Sequence, residues 1–347
     1  MARDGRVELI EKLEESRGGR LIVSYVTSTR TNFEMQIADD VLPLFYEHLE
    51  AGAGKAKNGV DLFIHSNGGS GTVPWRIVSL IREYTKNFAV LVPHRAFSAA
   101  TLIALGADEI VMHRMGCLGP IDPSVANQFN PANPQTPGLP IPISVEDVTA
   151  YFRLVKEEVG ITHEDELVQS LVALTEKIHP LALGNVQRSH NQSRLMARKL
   201  LHTHMEAKLD HEIDTIIENL KSNLFFHGHP INRKEAKEDL NLKVNLAPAD
   251  LELAMWQLYL EYASALKLTE PFSALHELDK GTSAVGAASA AARIRLDKIA
   301  SIYIESAYRT DVFLTDLGLQ KLSINTPVGP QEVIKQEVIW QRWEQEP

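Results

Sequence analysis

Apolar strands alternate with helices through the first 112 residues, and this alternation limits the possible fold more than any other feature of the sequence. Residues 59–65 (GVDLFIH) predict a buried strand that leads through SNGGSG into a helix over 74–86. Similar patterns predict further strands at 20–26, 88–92 and 110–112, and further helices over 7–16, 39–49 and 98–105. Strands and helices in this order form parallel β-α units packed in layers. The predicted fold class is therefore α/β with a parallel sheet.

The second half of the chain is predicted to be mostly helical. The predicted helices cover 145–158, 164–174, 182–220, 233–240 and 248–266. A loop rich in Pro and Asn precedes them at 127–142, and the small-residue segment at 281–292 is expected to be mobile. The C-terminus predicts a β-hairpin, with strands 300–309 and 312–319 and its turn at 309–311.

Charge and cysteine content exclude several classes of partner. The net charge is −10 with no long block of like charges, whereas nucleic acid and anionic membranes attract basic surfaces. Cys117 is the single cysteine, which rules out an intrachain disulfide and fits a reducing compartment. The N-terminus lacks the apolar core of a signal or anchor, and the most apolar stretch, 97–112, is too short to span a bilayer. We therefore expect a cytoplasmic protein with no stable membrane insertion.

Three segments carry the candidate chemistry. In the first, Gly68 and Gly69 follow a strand directly, so the backbone can turn sharply and direct its N–H groups into a cleft. In the second, Ser98 stands between a strand and a helix of small residues, and the amide after it can stabilise an oxyanion. The third reads GADEIVM at 106–112 and GCLGPIDP at 116–123. Each segment alone also fits an ordinary turn or a helix cap.

Taken together, the three segments resemble the Clp peptidase and signal-peptide peptidase superfamily. Members of that superfamily combine a strand with an S-x-G-G turn, a later serine, an A-D-x-I-V strand and a G-S-I-G-like turn, where this chain has Gly119-Pro120-Ile121-Asp122. The specific resemblance is to the serine dehydrogenase proteinase family. It is strong over 20–123, weaker to about residue 244, and absent from roughly the last hundred residues.

The resemblance implies a ClpP/crotonase-like layered β-α superhelix over residues 1–245. Residues 246–347 would then form a C-terminal extension made of a helix, a flexible Gly/Ala segment and a β-hairpin, with a possible role in assembly. By position, Ser98 would be the nucleophile, and the amides of Ala99 and of Gly68 or Gly69 would form the oxyanion hole.

The general base has no single candidate in the sequence. Clp peptidases place a histidine where this chain has Ile121-Asp122-Pro123. Signal-peptide peptidases use a lysine before a long helix, and the corresponding segment here contains both Lys177 and His179, which compete equally, with Lys199 behind them. The polar side chains of Arg188, Asn191 and Arg194 share one face of the same helix and either line the cleft or meet solvent.

No cofactor or metal is expected. The histidines lack the H-E-x-x-H spacing of a zinc site, and neither a G-x-G-x-x-G turn nor a convincing Schiff-base lysine is present. Serine dehydrogenation, which the family label suggests, would need such a nicotinamide or pyridoxal site.

The leading hypothesis is an ATP-independent serine endopeptidase that acts on unfolded chains or peptides. The sequence has no Walker A motif, so an unfoldase or adaptor would be a separate protein. The resemblance further implies a homo-oligomer. Two alternatives stay open: a non-catalytic or latent assembly protein on the same fold, and a crotonase-type acyl-thioester enzyme, against which the absence of an evident cleft glutamate counts.

Overall fold

The computed structural model describes residues 3–121, 124–133, 140–206, 209–220, 229–285, 293–326 and 329–346. Within these ranges the helices are α1 (Arg3–Ser16), α2 (Leu42–Ala51), α3 (Ala53–Ala56), α4 (Val73–Tyr84), α5 (Ala99–Leu105), α6 (Val145–Arg153), α7 (Glu164–Thr175), α8 (Pro180–Leu201), α9 (Asp210–Asn219), α10 (Arg233–Glu238), α11 (Ala249–Ala265) and α12 (Ala274–Val285). A 3₁₀ turn at Asp39–Val41 precedes α2, and a π-helical turn at Leu154–Glu158 follows α6.

The strands are β1 (Leu21–Thr27), β2 (Thr29–Arg30), β3 (Phe33–Glu34), β4 (Val60–His65), β5 (Phe88–Val92), β6 (Arg95–Ala96), β7 (Glu109–Met112), β8 (Cys117–Leu118), β9 (Ser124–Val125), β10 (Ile143–Ser144), β11 (Ile231–Asn232), β12 (Val244–Leu246), β13 (Arg293–Ser306), β14 (Arg309–Thr326) and β15 (Gly329–Glu346). Eight of them form one sheet in the order β12-β7-β5-β4-β1-β13-β14-β15.

The first five strands of this sheet are parallel and the last three are antiparallel. The parallel pairs join β12 to β7, β7 to β5, β5 to β4 and β4 to β1. Strand β13 then pairs antiparallel with β1, and β14 and β15 continue the antiparallel order. The α/β class with a parallel sheet, predicted from the alternating strands and helices, is confirmed.

The sheet separates two apolar cores because successive side chains of a strand point to opposite faces. On β1, Val23 and Tyr25 face a core shared with α2, α4, α5 and α8. Ile22 and Val26 face the other core, which α1 and α11 complete. The parallel strands are thus covered on both faces, which explains their nearly continuous apolar sequences.

The β-α loops at the carboxyl ends of the parallel strands meet a small second sheet. Strand β6 pairs with β8, and β8 pairs with β11. Ser66, directly after β4, forms a bridge to Ala96 in β6. These contacts fix the position of the turn that follows β6.

Two parts of the predicted secondary structure are wrong. The single helix predicted over 182–220 is two helices, α8 and α9, separated after Leu201. The hairpin turn predicted at 309–311 lies at 307–308, so these three residues begin β14, and a third long strand, β15, follows. Within the predicted mobile segment, residues 281–285 end α12 and the remainder lies outside the described residues.

The division at residue 245 stays a prediction. The eight-stranded sheet runs through both segments, since β13 pairs with β1. Among the helices in the described part of the chain, none combines the length and the apolar character that a membrane crossing requires.

Candidate active site

Ser98 lies in the sharp turn between β6 and α5. Its φ of 51° and ψ of −114° fall in a region that residues with a side chain rarely adopt. The side chain makes no capping hydrogen bond to α5, so the usual role of a serine at a helix start does not account for it. Backbone strain of this kind costs about 1–3 kcal/mol and persists where the surrounding structure enforces it, often at functional sites.

The Gly68-Gly69 turn passes so close to Ser98 that it has no room for a side chain at either position. A Cβ atom on Gly68 would lie 2.7 Å from Cβ of Ser98 and 3.1 Å from the backbone nitrogen of Ala99. A Cβ atom on Gly69 would collide with the backbone of Ile37. Both glycines also have positive φ, 105° and 155°. Glycine is therefore required here for conformation and for space.

Ser66 connects the glycine turn to the serine turn. Its hydroxyl oxygen accepts hydrogen bonds from Oγ1 of Thr27, at 2.8 Å, and from the backbone N–H of Gly68, at 3.0 Å. Its backbone N–H donates to the carbonyl of Arg95, and its carbonyl accepts from the N–H of Phe97. Ser66 is fully buried. It therefore holds the two turns at a fixed separation.

Two backbone N–H groups remain for an oxyanion. The Gly68 carbonyl accepts from Ile37, and Ser70 donates to Ile37, so the N–H of Gly69 between them points to the opposite side. The N–H of Ala99 begins α5, where it has no acceptor within the helix. Neither group donates a hydrogen bond to any residue in the described part of the chain. The N–H of Gly68, by contrast, is engaged by Ser66.

A cleft of about 400 Å³ opens beside Ser98. Helix α8 forms one wall through side chains three and four residues apart, as one helical face requires. The described lining residues are Glu34, Met35, Gln36, Asn67, Gly68, Gly69, Gly71, Ser98, Leu102, Ile121, Ser189, Gln192 and Ser193. The Ser193 hydroxyl donates to the carbonyl of Ile121 at 2.6 Å and fastens α8 to the cleft floor.

The three predicted bases lie outside this lining. Lys177 is exposed in the turn before α8. His179 caps α8, with Nδ1 accepting from the N–H of Leu181 at 3.1 Å, and its ring stacks on Phe129. Lys199 extends over the Trp75 ring, with Nζ 5.5 Å from the centroid. The structure thus brings Ser98, Gly69 and Ala99 together but brings none of the predicted bases to them.

Several residues that line the cleft were not predicted from the sequence. Glu34 is the one charged side chain among the described lining residues, and it contradicts the expectation that the cleft contains no glutamate. On α8, the face that carries Arg194 does not line the described cleft, because Arg194 pairs with Glu218 of α9 at 3.0 Å. The residues of α8 that line the cleft include Ser189 and Gln192, each one position after a residue of the predicted polar face.

Three histidines at the carboxyl ends of β4, β5 and β7 form a second cluster behind the glycine turn. The His65 ring stacks on His94, and His113 stacks on Trp256 of α11. His94 Nδ1 lies 3.1 Å from the hydroxyl of Tyr259, also on α11. His113 is buried although it lies just after the end of a strand.

Burial keeps the three histidines neutral. It lowers the pKa of His65 well below its usual value, with further lowering by His94 and Arg95. Burial is also the main reason that the pKa of His94 and the pKa of His113 are lowered. None of the three lines the described cleft. Their contacts to α11 give them a packing role beside the site.

Residues 52–136 match the family described as ClpP-like SDH-type serine proteinase. The matched segment contains Gly68, Gly69, Ser98 and Ala99. Over this segment the match agrees with the resemblance predicted from the sequence, to the ClpP-like serine proteinases.

Three further proteins are similar to this chain, either over a short segment or at low sequence identity. Two uncharacterized proteins of Methanocaldococcus jannaschii, MJ1495 and MJ0137, are 39% identical over 66 residues and 38% identical over 73 residues. These matches span 19% and 21% of this chain and only 23% and 26% of the relatives. A solved structure of 1510-N, a membrane-bound stomatin-specific protease in mutant form, aligns with 66% of this chain and 80% of its own, at a TM-score of 0.36 and 15% identity.

Proposed function

We propose that this protein is a serine peptidase that hydrolyses peptide bonds of unfolded chains or peptides through Ser98, without ATP. One observation carries the proposal: Ser98, in a strained turn, lines a cleft together with Gly69, and the N–H groups of Gly69 and of the adjoining Ala99 have no acceptor among the described residues. A nucleophile beside two convergent N–H donors is the arrangement that acyl transfer needs.

The chemistry follows from these positions. Oγ of Ser98 attacks the carbonyl carbon, its proton passes to the base, and the carbonyl oxygen becomes an oxyanion that accepts from Gly69 and Ala99. Collapse of this intermediate breaks the C–N bond, and the amine leaves with the proton from the base. Water then hydrolyses the acyl-enzyme by the same route. Of the two glycines considered, Gly69 is favoured because Ser66 already engages the N–H of Gly68.

An extended peptide suits the cleft. Ile37 pairs with one side of the 68–70 backbone, and the other side faces the cleft beside Ser98. A substrate strand can therefore pair with that side through its backbone, largely independently of its sequence. This supports unfolded chains or peptides as substrates.

The general base stays a prediction, with Lys177 and His179 ranked equally and Lys199 behind them. None of the three is among the described residues that line the cleft, so substitution is needed to test each of them. Lys177→Ala and His179→Ala, compared in the same assay, distinguish the first two. Full turnover in both variants would exclude both residues.

The proposed activity is tested by hydrolysis of a fluorescent unfolded protein in the absence of ATP. Ser98→Ala is expected to lower turnover at least about 10³-fold, because the nucleophile is lost. Ser16→Ala, which alters an exposed serine of α1, serves as the control and should retain wild-type turnover. Equal hydrolysis by Ser98→Ala and the wild type would refute the proposal.

A non-catalytic or latent assembly protein is the first alternative. It is favoured by the lack of histidine and lysine among the described residues of the cleft lining. A properly folded wild-type protein that shows no hydrolysis and no reaction at Ser98 would support it.

A crotonase-type acyl-thioester enzyme is the second alternative. It is favoured by Glu34, a carboxylate in the same cleft as the two N–H donors. Binding of an acyl-CoA, measured by calorimetry and lost in Glu34→Gln, would support this function over peptide hydrolysis.

A further inference from the structure

Strand β15 forms one edge of the eight-stranded sheet. It pairs with β14 along its length, and no described strand lies on its other side. An edge strand presents N–H and C=O groups that can pair with another chain. At the middle of β15, Val338, Ile339 and Trp340 are 54%, 40% and 39% exposed.

All charged side chains of β15 except that of Glu332 lie on one face of the sheet. A register shift opposite Asp316 and Leu317 leaves Ile339 as an extra residue, which displaces the alternation of side chains by one position. Consequently the residues paired with even-numbered positions of β14 share a face on both sides of the bulge. From Gln331 onward these residues are Gln331, Val333, Lys335, Glu337, Trp340, Arg342, Glu344 and Glu346.

Contacts along the strand agree with this shared face. Lys335 Nζ lies 3.2 Å from a carboxylate oxygen of Glu337. The Arg342 guanidinium lies 3.3 Å from the Trp340 ring centroid, and Arg342 also pairs with Glu344. From Lys335 to Glu344, the side chains on this face are in turn positive, negative, aromatic, positive and negative.

This charge order is complementary to itself when reversed. In an antiparallel pair of β15 strands related by a two-fold axis between Ile339 and Trp340, Lys335 stands opposite Glu344 of the second copy. Glu337 stands opposite Arg342 in the same way, and the axis repeats both pairs. The exposed apolar residues then meet at the centre, with the charges at the rim, as in specific protein interfaces.

We propose that β15 pairs antiparallel with β15 of a second copy of this chain, which extends the sheet across a two-fold axis. An interface across a two-fold axis uses the same surface on both copies, so that surface must be complementary to itself. The charge order of β15 meets this requirement. A uniformly acidic or basic peptide would instead meet like charges at half of the positions, which is unfavourable between neighbouring strands. The proposal is independent of any peptidase activity.

Two charge variants test the pairing in the full-length chain by sedimentation velocity. Lys335→Glu with Arg342→Glu makes all four charges that pair across the axis negative, and Glu337→Lys with Glu344→Lys makes all four positive. Each variant alone is expected to associate with itself at least about tenfold more weakly than the wild type, because like charges oppose each other. An equimolar mixture of the two is expected to restore the wild-type mass.

Controls separate this effect from misfolding and from net charge. Lys12→Glu with Lys57→Glu makes the same change in net charge as the Lys335→Glu, Arg342→Glu variant, at exposed positions on other surfaces, and should keep the wild-type mass. Circular dichroism checks that each variant is folded. A wild-type protein that stays monomeric at about 50 µM, well above the range of ordinary specific affinities, would overturn the proposal. So would wild-type mass in either charge variant alone, or a folded mixture that does not reassociate.

Discussion

The two ends of the eight-stranded sheet differ in how their surroundings constrain them. At the parallel end, β4 and β5 are buried at every position and deliver Gly68 and Ser98 to one cleft. At the antiparallel end, the first half of β13 and most of β15 are exposed and carry many charges. The candidate site is therefore supported by parallel strands that are covered on both faces of the sheet. The antiparallel end instead presents an exposed surface that a partner could contact.

A buried ion pair joins the two ends. Glu305 of β13 accepts from Nε of Arg6 in α1, at 2.7 Å, and from the hydroxyl of Tyr262 in α11, also at 2.7 Å. Glu305→Ala would leave the buried Arg6 guanidinium with only the more exposed carboxylate of Glu346, at 3.3 Å. It should lower the free energy of unfolding by about 3 kcal/mol. Denaturant unfolding measures the change. Asp297→Ala, which breaks an exposed pair with Arg295 on the same strand, should cost about 1 kcal/mol or less.

If Glu305→Ala and Asp297→Ala lose similar amounts of stability, the antiparallel strands are not anchored to the parallel core in the way described. A loss confined to the antiparallel strands, detected by hydrogen exchange, would show that the two ends unfold separately.

The close approach at Gly68 predicts a large effect on turnover. Gly68→Ala places a methyl group 2.7 Å from Cβ of Ser98, so one turn must shift and the N–H donors lose their alignment. Turnover should fall about 10²–10³-fold, as when an oxyanion donor is removed. Gly184→Ala is a matched control in α8, where an added Cβ meets nothing within 4 Å. It should retain turnover and stabilise the helix by about 0.5–1 kcal/mol. Unchanged turnover in Gly68→Ala would mean that the two turns are not coupled.

Ser66 is expected to act as a positioning residue with a smaller effect. Ser66→Ala removes the acceptor for Thr27 and for the Gly68 N–H, so the glycine turn loses its link to β1. We expect kcat to fall about tenfold with little change in KM, a loss of roughly 1.4 kcal/mol of transition-state stabilisation. Ser66→Thr, which keeps the hydroxyl, should recover part of kcat. Equal loss of kcat in both variants would indicate a packing role only.

The histidine cluster predicts that stability depends on pH. A histidine whose pKa is lower in the folded than in the unfolded state stabilises the fold fully above its ordinary pKa, near 6.5, and less as the pH falls below it. Between pH 6.5 and 5, each neutral histidine should reduce the free energy of unfolding by up to about 1.4 kcal/mol per pH unit. His113→Phe should flatten this dependence, and the exposed His163→Gln should not. A wild-type free energy of unfolding that stays constant over this range would contradict the assignment.

The parallel end of the sheet could be predicted from the sequence, because strands buried on both faces have continuous apolar runs bounded by turns. The predicted strand 88–92 coincides with β5, and β1, β4 and β7 differ by a residue at their ends. Ser98 can be identified from the sequence because it follows Gly68-Gly69 and precedes Gly119 along the chain. Its backbone strain, which distinguishes it from an ordinary helix cap, depends on contacts that only the fold supplies.

Other elements could not be predicted because distant contacts determine them. The break between α8 and α9 contains no proline, but the Thr203 hydroxyl donates to the carbonyl of Gly106 and fixes a turn there. Strand β15 is rich in Glu and Gln, which have low β propensity, and it forms by pairing with β14. The base candidates depend on spacing along the chain, whereas the position of α8 relative to Ser98 depends on tertiary contacts such as that of Ser193 with Ile121.

The central claim is that Ser98 is the reactive nucleophile of this cleft. Reaction of the full-length protein with a fluorophosphonate probe, followed by mass-spectrometric mapping of the adduct, tests it most directly. We expect one adduct, on Ser98, that is absent in Ser98→Ala and forms more slowly in Gly68→Ala. A folded wild-type protein that forms no adduct, or an adduct on another residue that persists in Ser98→Ala, would contradict it.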